Sequence, residues 1–153
     1  LIQQAGMLLA EITEILAGHP DILNSGFVWD SAKEYAEARI TEALFKEERI
    51  PGFSELGIDP VPYLNGLGEA VGEMRRRMLD LLRNGDVTAA ETALEAMDEI
   101  VDLLASMDYP DGMTSGLRRT TDVARSLVER SRSDLTATVV QERLRQDLAK
   151  PRS

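Results

Sequence analysis

Cysteine is absent from the 153 residues, and histidine occurs once, at His19. The first absence removes disulfide staples, thiolate zinc sites and cysteine nucleophiles. The second removes any site that needs two imidazoles, including the paired Glu-x-x-His arrangement of di-iron bundles. No apolar run approaches the roughly 20 residues of a membrane span, and no signal peptide opens the chain. A cytoplasmic protein with no membrane partner is therefore expected. Runs of alternating apolar and polar residues, the mark of a half-buried strand, are also missing. Positive charge is scarce: 17 Lys+Arg stand against 27 Asp+Glu, a formal net charge of −10. That balance argues against casual electrostatic binding of nucleic acid. The deficit is uneven, because residues 115–153 hold nine basic and five acidic residues (+4) while the remainder holds eight and 22 (−14). A basic arm on an acidic body can orient a phosphate backbone toward an acid-lined site, although an Arg-rich helix face is ordinarily just solvated.

What is present is an ordinary globular composition, 43% hydrophobic and 29% charged. A chain of this length buries roughly 70% of its unfolded surface, enough for a single domain, here residues 1–153. Its apolar residues recur at helical spacing. Ile2, Leu8, Leu9, Ile12 and Leu16 mark a first helix, stopped by Gly18-His19-Pro20. The chain opens as if already helical, so a preceding helix is expected outside this sequence. A second helix is expected from about Asn24 to Arg49, with Trp29, Ala32, Ala36, Ile40 and Ala43 forming a stripe of mostly small residues. Asp59-Pro60 reads as N-cap and N1 of a third helix with Leu64, Leu67, Val71, Met74, Met78 and Leu82 inward, ending at Asn84-Gly85. Asp86 caps a fourth, with Ala90, Leu94, Met97, Val101 and Leu104 inward. After the Tyr109-Pro110-Asp111-Gly112 turn, Thr114 or Ser115 caps a long last helix through Val123, Leu127, Leu135 and Leu144 toward Lys150. The fold class expected is all-α, an antiparallel bundle of long helices.

Two glutamate pairs stand out by spacing. Glu34 and Glu37 are three residues apart and Glu69 and Glu73 four, so each pair shares a helix face. Like charges so placed oppose the helix by a few tenths of a kcal/mol unless a cation lies between them. If the two helices pack antiparallel, four carboxylates converge on a site suited to Mg²⁺ or Mn²⁺. Glutamate is also a good helix former, and Asp98, Glu99 and Asp102 are eligible on composition alone. Spacing does not decide between a site and a solvated face.

The words around these acids resemble the translin family, particularly its translin-associated protein X branch. They are His19-Pro20-Asp21-Ile22, Gly26-Phe27-Val28 and Lys33-Glu34-Tyr35-Ala36-Glu37-Ala38, then Pro62-Tyr63-Leu64-Asn65-Gly66-Leu67, Gly72-Glu73-Met74-Arg75-Arg76 and Asn84-Gly85-Asp86. Tyr109-Pro110, Leu117-Arg118-Arg119 and Asp122-Val123-Ala124-Arg125 are similar to the turn and last helix of archaeal-type members. The resemblance implies a helical subunit that assembles into closed, hollow oligomers and binds single-stranded RNA or DNA. Its X branch implies a Mg²⁺-dependent endoribonuclease, whereas translin itself is mainly a binding subunit. The branch's E-x-x-E and D-x-x-x-E words fall on Glu34 and Glu37, and on Glu69 and Glu73. These four are the implied catalytic and metal-binding residues. Glu69 stands where the pattern has Asp, and its extra methylene moves the carboxylate by roughly 1–1.5 Å, leaving direct or water-mediated ligation open.

Arg118, Arg119, Arg125, Arg130 and Arg132 are candidate phosphate contacts, and Arg118, Arg125 and Arg132 share one side of a helix. Arg75, Arg76 and Arg77 point three ways, so at most one meets the acids. Trp29 and Tyr35 either stack a base or pack. Phe27 and Met74 read as core, and His19 as a turn residue. The small-residue stripe and the apolar Ile50–Leu56 loop offer docking surface beyond the needs of one subunit, so a homo-oligomer is expected, with a second translin-type subunit left open. The alternative to the nuclease is a non-catalytic binding oligomer of the same shape.

Overall fold

A computed structural model describes residues 1–23 and 26–149, and all its regular elements are helical. They are α1 (Ile2–Ile15), extended by a 3-10 turn at Leu16–Gly18, α2 (Pro20–Leu23), α3 (Gly26–Phe45), α4 (Phe53–Leu56), α5 (Pro60–Arg83), α6 (Val87–Ala105), α7 (Asp111–Thr114) and α8 (Leu117–Ala149). The expected start of a helix at about Asn24 and the reach of the last one to Lys150 lie outside the described residues.

Local chemistry sets the helix ends. Pro60 occupies the first turn of α5, where its missing N–H leaves no bond unmade, and Asp59 precedes it in extended conformation. Gly85, at φ +82°, turns the chain into α6, and the Asp86 side chain accepts the Ala89 N–H at 3.0 Å. Two ends differ from expectation. α3 stops at Phe45 rather than Arg49, because Glu47 turns left-handed (φ +56°) while the Glu48 and Glu47 amides close back on the Ala43 and Leu44 carbonyls. This is a Schellman stop with glutamate in the place usually held by glycine. Neither Thr114 nor Ser115 caps α8. Thr114 is the buried last residue of α7, and Ser115 and Gly116, both at positive φ, form the turn that releases Leu117 into α8.

α5 is the central helix, packed on α3, α6 and α8. The tight turn at Gly85 makes α5 and α6 antiparallel, and α6 is likewise antiparallel to α8. α3 runs parallel to α5, however: Gly66 lies against Ala36 at one end, and Arg77 lies over the Phe45 ring at the other. The 46–59 segment makes this possible by returning the chain to the start of the bundle. Along the way Ile50, Leu56 and Ile58 pack on the core and Phe53 meets Tyr63 edge-on at 6.1 Å. Arg49 pairs with Glu55, which also accepts the Gly52 amide, and together these bonds hold the Glu55 carboxyl down to about 2. The apolar loop is thus largely spent inside the subunit, and so is the small-residue stripe of Ala32, Ala36, Ile40 and Ala43.

The stripes of α5 and α6 are buried as expected, with Leu64 and Leu82 half-buried at the margins. That of α8 is not. Its inward face is Leu117, Thr121, Ala124, Val128, Ser131 and Leu135, while Val123 and Leu144 are exposed. The Thr121 and Ser131 hydroxyls donate to carbonyls one turn back, at 2.9 and 2.8 Å, so these polar residues enter the core with their hydrogen bonds made. Phe27 is 87% exposed rather than core, whereas Met74 is buried. α1 packs chiefly on α3, with Gly6 against Tyr35, and leaves Met7, Leu8, Ile12 and Ile15 exposed.

Candidate active site

The approach of α3 to α5 begins at Gly66. A Cβ there would stand 2.7 Å from the Lys33 carbonyl oxygen and 2.9 Å from the Ala36 Cβ, so only glycine lets the two backbones meet. One turn along α5, Glu69 then faces the side of α3 that carries Lys33, Glu34 and Glu37. Asn65, just before Gly66, is buried, and its amide donates to the Val61 and Thr114 carbonyls (3.1 and 3.0 Å) and accepts the Thr120 hydroxyl (2.9 Å). These bonds tie the α7–α8 turn to α5 and align α8 as the opposite wall.

Between α3 and α8, floored by α5, lies a cleft of about 630 Å³. Trp29, Lys33 and Glu37 form one wall, Arg119, Thr120, Val123 and Leu127 the other, and Gly68 and Glu69 the floor. Over the ridge, Glu34, Glu37 and Glu73 border a shallower depression of about 450 Å³ with Ile2, Thr41 and Phe45. Glu37 stands between the two.

Among the described residues, Glu34, Glu37 and Glu69 place one carboxylate oxygen each within 4.8 Å of the others. Three hard oxygen donors so arranged fit a divalent cation of the Mg²⁺ or Mn²⁺ kind. Glu73 is outside this group but close enough to act on Glu37, and it lies 4.0 Å from Arg76. Burial, and then the negative charges of Glu69, Glu34 and Glu73, push the Glu37 carboxyl above its ordinary range, against the opposing charge of Lys33.

Lys33 is the residue that spacing did not single out. Its Nζ donates to Glu69 Oε1 at 2.8 Å, lies 3.5 Å from Glu34 Oε1, and sits 5.9 Å from the centre of the Trp29 ring. The hydrogen bond to Glu69 raises its pKa, against the cost of burial. Its sequence signals were its position immediately before Glu34 and its place at the head of the Lys33–Ala38 word. A lysine next to a glutamate is too common to mean anything without the facing helix.

The arginines divide. Arg119 lines the acid-bearing cleft. Arg118 and Arg125 share a separate cleft with Tyr109 and Asp122, and Arg125 pairs with Asp122 at 3.6 Å. Arg132 bonds Asp98 of α6 at 2.6 Å, and Arg130 meets Ser126. Arg75, Arg76 and Arg77 do point three ways: to Ser131 and Asp134, to Glu73, and over Phe45. Tyr35 packs under α1, and His19 caps the α2 turn with its carbonyl.

The all-helical fold is shared with solved C3PO proteins. The chain superposes on AfC3PO in complex with duplex RNA with a TM-score of 0.80 and 33% identity, covering 92% of this chain and 72% of that one. AfC3PO in a second crystal structure gives 0.79 and 35%, covering 92% and 73%, and apo-NeC3PO gives 0.79 and 26%, covering 90% and 71%. An uncharacterized Methanocaldococcus jannaschii protein is 28% identical over 134 residues, 87% of this chain, and the chain spans 59% of that relative's length. No family model matches. The chain belongs to the translin family and is of its archaeal type. Among the described residues no helix is long and apolar enough to cross a membrane.

Proposed function

We propose that the protein is a metal-dependent endoribonuclease that binds and cleaves single-stranded or small structured RNA within an oligomeric shell. The observation that carries the reading is the convergence of Glu34, Glu37 and Glu69, two of which line a cleft whose far wall bears Arg119. The three carboxylates would hold Mg²⁺, or Mn²⁺ in its place. Such an ion, when bound, activates water and stabilises charge at a phosphodiester. Glu37, which stands between the cleft and the neighbouring depression, orients the attacking water. Arg119 meets the RNA phosphate across the cleft. Glu73 adds negative charge beside Glu37. RNA binding by AfC3PO, named in its duplex complex, supports the choice of ligand.

The shell is a homo-oligomer. Met7, Leu8, Ile12 and Ile15 of α1 and Val140, Leu144 and Leu148 of α8 are exposed, an apolar surface that a second copy would cover. Light scattering tests this, and a monomer at micromolar concentration overturns it.

A second reading, a translin-like oligomer that binds single-stranded RNA or DNA without cutting it, is favoured by one feature. Lys33 already pairs with Glu69 and Glu34 and offsets one of their two charges. Labelled single-stranded RNA incubated with Mg²⁺, Mn²⁺ or EDTA separates the two. Cleavage that needs the metal and is lost in Glu34→Gln and Glu37→Gln, with binding retained, supports the nuclease. Binding without cleavage under every condition supports the second.

A further inference from the structure

On the reading that Glu34, Glu37 and Glu69 hold a divalent cation, we propose that Lys33 is the internal counter-ion which that cation displaces, so that this lysine sets the metal affinity of the site. Its ammonium engages two of the three carboxylates, Glu69 at 2.8 Å and Glu34 at 3.5 Å, and only 16% of the side chain is exposed. An ammonium and a divalent ion cannot both take these oxygens. The lone pairs are shared once, and two cations about 4 Å apart repel strongly in a partly desolvated site. Lys33 has somewhere to go. A flexible four-carbon stem carries its charge, and the cleft bordered by Trp29, Ser115 and Gly116 opens beside it. It cannot go far, because it is bonded in sequence to Glu34. The competitor is therefore present at the high effective concentration of a tethered group, and the metal binds only above a threshold the protein itself sets. The lysine also offsets part of the repulsion among the acids while no metal is bound.

The test is Mn²⁺ titration of the whole protein, with free Mn²⁺ read by electron paramagnetic resonance and circular dichroism confirming the fold. Lys33→Met is expected to bind the same number of ions about tenfold more tightly. Equal or weaker affinity in a folded Lys33→Met overturns the role of Lys33 and leaves the metal site standing. If neither protein takes up Mn²⁺, the metal reading falls too. A measurement on the unaltered chain guards against misfolding of the variant. Acetylation of the Lys33 amine, followed by mass spectrometry, is expected to quicken severalfold at saturating Mg²⁺, while Lys46, paired with Glu42 on the surface, serves as the unchanged reference. A Lys33 rate indifferent to Mg²⁺ overturns the proposal.

Discussion

Gly66 and Lys33 are in backbone contact: the missing Gly66 side chain is the space into which the Lys33 carbonyl fits. The same crossing that brings these two together sets Glu69 opposite Glu34 and Glu37. In Gly66→Ala the new methyl meets backbone as well as the Ala36 Cβ, so α3 and α5 must part. Overpacking of this kind costs about 1–3 kcal/mol, more than the up to about 1 kcal/mol that alanine adds to a helix. Urea denaturation is expected to register a net loss, together with weaker Mn²⁺ uptake. A variant as stable as the parent, with unchanged uptake, would show that the crossing tolerates a side chain.

Glu37→Gln is expected to stabilise the metal-free protein. Because the folded chain holds the Glu37 proton above the ordinary carboxylate range, the native state binds more protons than the unfolded one between those two values. Stability from this group therefore falls as pH rises through that interval. Removing the charge abolishes that fall and relieves repulsion from Glu34, worth about 0.2–0.5 kcal/mol for an i,i+3 pair. Urea melts from about pH 4 to 8 should converge at the acid end and favour Glu37→Gln at the neutral end. The opposite order would mean that Glu37 is a stabilising partner rather than a strained one.

Asn65→Leu removes an amide that satisfies a buried carbonyl of Thr114 and the hydroxyl of Thr120. Leaving the carbonyl unpaired costs about 1–3 kcal/mol. Hydrogen exchange should quicken around 114–120 before it does in α6. Uniform exchange across the bundle would assign Asn65 no special hold on the turn.

Arg119 and Arg132 should differ toward RNA, although both lie on α8. Arg119 faces the acid-bearing cleft, and Arg132 is committed to Asp98. Arg119→Ala is expected to weaken single-strand binding and to lower the salt slope by about 0.7, one phosphate's worth. Arg132→Ala should leave that slope unaltered. Equal slopes in the two variants would move the RNA path away from the cleft.

The all-helical class, the starts of α5 and α6 and their buried stripes were legible because each is local. A proline at N1, a glycine at positive φ and a 3.6-residue period act within a few residues. The stripe of α8 was legible only at Leu127 and Leu135, because Thr121 and Ser131 satisfy their hydroxyls on their own helix and pack inward where an apolar pattern gives no signal. The Glu34–Glu37 and Glu69–Glu73 pairs were visible as spacing. That Glu69 rather than Glu73 completes the close trio was not, since it depends on the register of two helices.

Taken alone, the amino-acid order determined where helices begin, which faces are apolar and which acids ride together, since all of these follow from short-range geometry. Tertiary structure decided that α3 and α5 run in the same direction, that Lys33 sits among the acids, and that Arg119 rather than Arg132 looks at them. A side chain's partner across a bundle is set by the direction and depth at which another backbone passes, and here the returning 46–59 segment sets the first and the Gly66 contact the second.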